Sequence, residues 1–190
     1  MCLDSLYGEG SNLHGPECAP NSVIDYPSRK LLFNGAHLDH NPFPFLTMAA
    51  TYTGSCKCST IKIEMQGEPD MLGLCHCTNC RKSTGSTYST NAIFDKSKFT
   101  IISGEPKVYE VQGGSGNPAF VNFCGNCGST MWTKSPLRPD IVVIKVGILD
   151  GDALEKMAPK LETFTSRKPS WMKSVDGAMQ FENGFVAPPS

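Results

Sequence analysis

The chain has 190 residues, of which 39% are hydrophobic, and this is enough apolar material for one principal domain with a core. Lys and Arg (17) nearly balance Asp and Glu (18), so the formal net charge of -1 excludes the basic excess that nucleic-acid or anionic-membrane binding requires. Neither a long apolar run nor a secretion signal occurs, which predicts a soluble, intracellular protein, expected in the cytoplasm.

The N-terminal part is rich in Gly, Pro, Asn and Ser and keeps neither a helical nor a strand period. We therefore predict that residues 1–47 form an irregular, weakly structured extension. Residues 48–190 are predicted to form the folded domain, with Met48 as its natural start. We also predict that the extension is dispensable for folding.

Short strands separated by turn residues are predicted from residue 60 onward. Residues 60–65 alternate apolar and polar side chains, and turn residues follow at 67–70. Similar signals, rich in β-branched and aromatic residues, lie at 88–94, 99–102, 107–111, 119–123, 130–133 and 141–148. The pattern predicts an all-β fold without a strong helix. In the tail from Ala153, Trp171 and Phe181 are expected to anchor on the core.

Seven of the nine cysteines lie in three tight groups. These are Cys56 and Cys58, then Cys75, Cys77 and Cys80, then Cys124 and Cys127. Since reducing compartments keep thiols free, many cysteines without a secretion signal favour metal coordination over disulfides. Cys2 and Cys18 have no partner at ligand spacing and are predicted to be free thiols.

The three groups can be divided between two zinc ions. A structural zinc takes four ligands, and a zinc with three protein ligands keeps a fourth position for water or substrate. A C-x-C pair and a distant C-x-x-C pair can clamp two strand ends, which predicts a structural site on Cys56, Cys58, Cys124 and Cys127. The remaining group is then an open, candidate catalytic site on Cys75, Cys77 and Cys80.

Two alternatives stay open at this point. The middle group could instead combine with Cys124 and Cys127 and leave Cys56 and Cys58 idle, because spacing alone does not forbid that division. All seven cysteines could also hold purely structural zinc, which is the commoner fate of C-x-x-C pairs.

Five segments carry a family resemblance. They are Gly54-Ser55-Cys56-Lys57-Cys58, residues 75–82 with Cys-His-Cys-Thr-Asn-Cys-Arg-Lys, residues 123–129 with Phe-Cys-Gly-Asn-Cys-Gly-Ser, Gly147-Ile148-Leu149-Asp150 and Lys168-Pro169-Ser170-Trp171. With these segments, residues 52–181 resemble the glutathione-dependent formaldehyde-activating enzyme family, also called the centromere protein V family. The resemblance implies a β-tent of short antiparallel strands held by zinc, and it implies the first division of the cysteines.

The resemblance also implies an activity, namely the formation or cleavage of a carbon–sulfur bond, as when glutathione and formaldehyde give S-hydroxymethylglutathione. We therefore predict a carbon–sulfur lyase with two Zn²⁺ ions per chain and a small-molecule thiol, glutathione, as substrate. Arg81 is the predicted contact for a glutathione carboxylate, because its guanidinium can bind bidentately. The alternatives are a non-catalytic β-tent module that binds a protein and an enzyme for a different thiol adduct.

Two positions depart from the pattern of the family. Ser59 stands where members commonly have glycine, and Glu162 stands near a position where many have histidine. These departures concern turn geometry and the lining of a pocket rather than the metal ligands. His76, between two predicted ligands, is expected to orient or pack rather than to take part in chemistry.

Overall fold

The computed structural model describes residues 50–113 and 116–184, which form eleven strands, two short α-helices and three single-turn 3-10 helices. The strands are β1 Thr51–Ser55, β2 Lys62–Gln66, β3 Met71–Cys75, β4 Ser89–Asp95, β5 Phe99–Ser103, β6 Lys107–Gln112, β7 Pro118–Phe123, β8 Thr130–Ser135, β9 Arg138–Lys145, β10 Leu161–Thr163 and β11 Met179–Phe181. The α-helices are α1 Thr78–Thr84 and α2 Ala153–Lys156. The predicted all-β class is confirmed.

The strands form two sheets. The small sheet has the order β1-β2-β5, and the large sheet has the order β11-β10-β3-β4-β9-β8-β7-β6. Pairing is antiparallel except at β10, which runs parallel to both β3 and β11. Strands β3, β4 and β9 therefore lie side by side in the middle of the large sheet, and β3 ends at Cys75.

The core is formed by apolar side chains that the strands direct to one face, because successive residues of a strand point to opposite faces of the sheet. Ile63 and Met65 of β2 are buried, as are Phe94 of β4 and Ile144 of β9. Trp132 of β8 is also fully buried, and it contacts Phe99 edge-to-face at a centroid distance of 5.0 Å. Burying each of these large side chains contributes about 1.5–3 kcal/mol, so this cluster is the main source of stability.

Several elements were not predicted. Strand β3, with the sequence Met-Leu-Gly-Leu-Cys, is apolar throughout and its three central residues are buried, so it lacks the polar–apolar alternation that would have revealed it. Helix α1 has only seven residues and none is buried, so it has no apolar period that sequence reasoning could detect. It ends at Gly85, whose φ of 62° is the left-handed conformation that glycine adopts without steric cost.

The tail corrects one expectation. Trp171 is 74% exposed, so the prediction that it anchors the tail on the core is wrong. Phe181 is half-buried and lies in β11, at the edge of the large sheet. The tail is therefore attached through strand pairing of β10 and β11 rather than through its tryptophan.

Other predictions fall outside the part of the chain that the structure describes. These are the extension 1–47, its boundary with the domain, and the free thiols of Cys2 and Cys18. Within residues 50–113 and 116–184, no helix is long and apolar enough to cross a membrane.

Candidate metal centres

The first cluster of sulfur atoms contains two cysteines from the β1–β2 connection and two from the β7–β8 connection. Its members are Cys56, Cys58, Cys124 and Cys127, whose Sγ atoms all lie within 4.8 Å of one another. Cys58 Sγ lies 3.5 Å from Cys56 Sγ and 3.7 Å from Cys124 Sγ. All four are free thiols, and both distances far exceed the S–S length of about 2.05 Å in a disulfide.

Each half of this cluster is a tight backbone turn. The amide of Ser59 donates to the carbonyl of Cys56 at 2.8 Å, and the amide of Gly128 donates to the carbonyl of Cys124 at 2.9 Å. Both residues close their turn in the left-handed conformation, with φ of 59° for Ser59 and 74° for Gly128. In each connection, the turn places both cysteine Sγ atoms in the cluster.

Hydroxyl groups surround the sulfurs of the first cluster. The Thr60 hydroxyl lies 3.2 Å from Cys58 Sγ, and its hydrogen bond lowers the pKa of Cys58 to about 5. The Ser129 hydroxyl lies 3.3 Å from Cys127 Sγ and lowers the pKa of Cys127 to about 7. The two hydroxyls therefore favour thiolates at Cys58 and Cys127, and the thiolate is the form that binds metal. Hydrogen bonds from the Cys127 and Asn126 amides lower the pKa of Cys124. Burial and hydrogen bonding with the Cys56 and Cys127 thiols outweigh them, so the pKa of Cys124 is instead raised to about 11.

The second cluster lies where β3 gives way to α1. Cys75 is the last residue of β3, Cys77 is the N-cap of α1, and Cys80 lies in the first turn of the helix. Residues three apart on a helix share a face, so Cys77 and Cys80 point the same way. The three Sγ atoms lie within 4.8 Å of one another.

Hydrogen bonds decide how protons are shared in the second cluster. The thiols of Cys75 and Cys80 donate to Cys77 and lower its pKa to about 2. Hydrogen bonding with Cys77 raises the pKa of Cys75. Hydrogen bonding with Cys75 and Cys77, followed by burial, raises the pKa of Cys80, and the Lys145 ammonium acts in the opposite direction. These hydrogen bonds therefore favour the ionised form at Cys77 over Cys75 and Cys80.

Both clusters have donor sets that fit a soft divalent metal. Four sulfur ligands around one ion at about 2.3 Å lie roughly 3.8 Å apart, which agrees with the separations in the first cluster. The second cluster supplies three sulfurs and no fourth protein ligand from the described His, Cys, Asp and Glu residues. The two clusters thus offer a closed donor set and an incomplete one.

The family model for glutathione-dependent formaldehyde-activating enzymes matches residues 51–167, which include both clusters. The chain belongs to this family. A curated relative from Halomonas elongata, named "Putative glutathione-dependent formaldehyde-activating enzyme", is 26% identical over 124 residues, which are 63% of this chain and 78% of the relative. A solved Rhodobacter sphaeroides structure is 22% identical with a TM-score of 0.42, and it covers 52% of this chain and 88% of that one.

In this formaldehyde-activating enzyme family member, a buried polar network adjoins the second cluster. His76 is fully buried, and its Nε2 donates to Glu162 Oε2 at 2.9 Å. Lys168 Nζ donates to the same oxygen at 3.1 Å, while Val175 N and Gln180 Nε2 donate to Oε1 at 2.6 Å and 3.2 Å. The network ties the cysteine loop to the C-terminal tail. His76 is thus held by a carboxylate, in a position to orient the loop.

Helix α1 is held against the sheet by side-chain hydrogen bonds. Asn79 Nδ2 donates to the carbonyl of Gln112 at 2.6 Å, and Thr130 Oγ1 donates to the carbonyl of Ser83 at 2.8 Å. Thr84 Oγ1 lies 2.9 Å and 3.0 Å from the carbonyl oxygens of Cys80 and Tyr88, and its single hydroxyl proton is shared between them. These bonds fix the helix that carries two of the three sulfurs.

Two cavities flank α1. One of about 780 Å³ is lined by Asn79 and Lys82 of the helix and by Tyr109 and Phe123 of β6 and β7. The other, of about 520 Å³, is lined by Thr84, Ser89 and Lys145. Both volumes lie within the roughly 300–1,000 Å³ typical of ligand pockets.

Two basic residues follow Cys80 on α1. Arg81, the predicted carboxylate contact, is half-buried, and its Nε has no hydrogen-bond partner within the described residues. Lys82 is exposed. A third cation, Lys145, was not predicted from the sequence. It is buried at the end of β9, and only the sheet register places it on the same face as Cys75.

Proposed function

We propose that this protein is a zinc-dependent carbon–sulfur lyase that acts on glutathione adducts of formaldehyde or another aldehyde. Family membership supports the reactants. The observation that carries the proposal is the separation of seven sulfurs into a set of four and a set of three. A structural role accounts for the set of four, whereas a set of three leaves a ligand position for substrate.

The two clusters have different roles in this proposal. One zinc would be held for structure by Cys56, Cys58, Cys124 and Cys127. The catalytic zinc would be held by Cys75, Cys77 and Cys80. When bound at the three-cysteine site, zinc lowers the pKa of a substrate thiol and so supplies a thiolate at neutral pH.

The residues of the chain then position the reactants. The thiolate sulfur attacks the aldehyde carbon, a carbon–sulfur bond forms, and the electron pair of the carbonyl π bond moves to oxygen, which takes up a proton. The reverse reaction releases thiol and aldehyde from the adduct. The tethered helix α1 keeps Cys77 and Cys80 in place, and the cavity of about 780 Å³ beside it has room for the remainder of a tripeptide thiol.

Arg81 is the residue that we propose for a glutathione carboxylate. It follows Cys80 directly on α1, and its Nε lacks a hydrogen-bond partner among the residues described. A buried guanidinium donor without a partner is costly unless a ligand satisfies it. A small-molecule thiol is therefore the proposed partner of this site, and the free thiols suit an intracellular, cytoplasmic location.

Exchange-detected NMR of a glutathione and formaldehyde mixture tests the function, because the adduct also forms spontaneously and only acceleration counts. The zinc-loaded protein is expected to accelerate exchange, Cys77→Ser is expected to abolish the acceleration, and Cys18→Ser, outside both clusters, is expected to keep it. No acceleration by protein with two zinc ions per chain would reject formaldehyde as the substrate. Two zinc ions that resist both chelators and added thiol would favour the protein-binding module instead.

A further inference from the structure

Lys145, at the end of β9, is a buried cation that has no carboxylate partner among the residues that the structure describes. The residue is 7% exposed, and its Nζ donates to Asn91 Oδ1, a neutral amide oxygen, at 2.9 Å. None of the ion pairs among residues 50–113 and 116–184 involves Lys145. Burying an ammonium ion costs several kcal/mol unless a negative charge lies nearby, so a counter-charge must be sought close to this lysine.

The register of the large sheet points to the three-cysteine cluster as that counter-charge. Lys145 on β9 lies opposite Asn91 on β4. Ser89 is two residues from Asn91 on β4, and it lies opposite Cys75 on β3. Residues directly opposite each other share a face of the sheet, and so do residues two apart on a strand. Lys145 and Cys75 therefore project from the same face, and the amide that Lys145 contacts is already one strand closer to Cys75.

The cavity of about 520 Å³ joins Lys145 to the helix of the cluster. Lys145 lines it together with Ser83 and Thr84, which lie one helical turn after Cys80 on α1. Strand register and cavity lining thus give the same neighbourhood.

We propose that Lys145 is a positioning residue that supplies the counter-charge of the three-cysteine site and stabilises a substrate thiolate there. Three thiolates on a divalent ion carry a net charge of -1, and a fourth thiolate would bring it to -2. A buried ammonium offsets one unit of that charge. The inference rests on the proposed function for the identity of the substrate as a thiol.

The test compares thiol binding by Lys145→Met, which removes the charge at similar volume, and by Lys145→Arg, which keeps it. Lys134→Met is the matched control, because Lys134 is half-buried on β8 of the same sheet and lies over the Phe99 ring. The full chain is loaded with Co²⁺ in place of zinc, and metal content and the cobalt absorption bands are followed during titration with glutathione and with 2-mercaptoethanol, which has no carboxylate.

Lys145→Met is expected to weaken binding of both thiols about tenfold or more, since a unit charge has roughly this effect at an effective dielectric constant of about 20. Lys145→Arg is expected to stay within about threefold of wild type, and Lys134→Met is expected to leave binding unchanged. Should Lys145→Met fail to fold, Lys145→Gln takes its place, because glutamine keeps a donor for Asn91.

Two results would overturn the inference. Unchanged affinity for both thiols would show that the charge of Lys145 does not act on the site, and weaker binding of glutathione alone would mean that Lys145 contacts a substrate carboxylate. The experiments can reject the proposed function and the role of Lys145 independently of each other. Protein that binds both thiols in a Lys145-dependent way but does not accelerate adduct exchange would reject the proposed reaction and leave the role of Lys145 standing.

Discussion

Ser59 adopts the left-handed conformation at the turn that carries Cys56 and Cys58, and it is the position at which this chain departs from the glycine of the family pattern. A residue with a Cβ pays a steric penalty of roughly 1–2 kcal/mol in this conformation, and glycine avoids it. Gly128 occupies the corresponding place in the other turn, with φ of 74°, and a Cβ added to it would meet no other atom within 4 Å. The two turns thus have the same left-handed backbone conformation, with serine in one turn and glycine in the other.

Ser59→Gly is expected to raise the free energy of unfolding of the metal-loaded protein by about 0.5–1 kcal/mol, after the greater freedom of glycine in the unfolded chain is subtracted. Gly128→Ala is the matched variant and is expected to lower it by about 1 kcal/mol. Urea unfolding at constant metal content measures both. Equal stability of Ser59→Gly and wild type would mean that the left-handed turn is not strained.

Glu162 is a fully buried carboxylate whose ionised form the protein stabilises. Burial by itself raises the pKa of Glu162, but hydrogen bonds from Val175, His76, Lys168 and Gln180 outweigh burial and lower the pKa from 4.5 to about 2. A carboxylate with a lower pKa in the folded state stabilises that state above its unfolded pKa. This contribution is lost as the pH falls from about 4.5 towards 2.

Glu162→Gln is therefore expected to lower the free energy of unfolding by about 3 kcal/mol at pH 7 and by progressively less below pH 4.5. Acid also removes metal from thiolates, so the measured quantity is the difference between wild type and variant in urea unfolding at each pH. Glu155→Gln, an exposed carboxylate on α2, is the control. A difference that does not change between pH 7 and pH 3 would contradict the expected titration.

At the scale of elements, the two sulfur clusters differ in which segments of the chain they bring together. The first joins the β1–β2 connection of the small sheet to the β7–β8 connection of the large sheet. The second lies within one continuous segment, from the end of β3 into α1, and separate hydrogen bonds already hold that helix. Only the first cluster therefore links segments that are distant in the chain.

Cys58→Ser is expected to lose one metal equivalent and to lower stability by roughly 3 kcal/mol or more, because metal binding at a structural site is coupled to folding. Cys77→Ser is expected to lose one equivalent with a smaller loss of stability. Metal content per chain and thermal unfolding measure both effects. If Cys77→Ser unfolded as readily as Cys58→Ser, the second cluster would also be structural.

At the scale of the whole molecule, the described fold begins with β1, which starts at Thr51, and the family match begins at residue 51. Strand β1 pairs with β2 over its full length, and the Ala50 carbonyl accepts a hydrogen bond from Gly67 N at 2.6 Å. A chain that begins at Met48 keeps all of these interactions. We accordingly propose that residues 48–190 form the domain.

The chain beginning at Met48 is expected to fold with the same metal content as the full chain and with a thermal midpoint within about 3 °C of it, which corresponds to less than about 1 kcal/mol. Circular dichroism and metal analysis of both chains check this. The full chain is the reference in each measurement. Loss of folding in the shorter chain would assign the first 47 residues a structural role.

The all-β class, the family and the three groups of cysteines were predictable from the sequence, because strand alternation and ligand spacing are local properties. Helix α1 and strand β3 were not, since one is short and exposed and the other is apolar on both faces. The sequence pattern thus predicts an element when one of its faces is buried and the other is exposed. It does not predict an element that has no buried face, such as α1, or one that is apolar throughout, such as β3.

Only the tertiary structure decided which cysteine groups meet, because that depends on how distant turns approach in space. The same holds for the polar surroundings of the second cluster. His76 and Glu162 are 86 residues apart, and Lys145 and Asn91 are 54 residues apart, and strand pairing alone brings each pair into contact. The sequence by itself determined which thiols are available as candidate metal ligands, because their spacing is local. The cross-strand register determined which charged side chains surround them, because register depends on how strands pair in space.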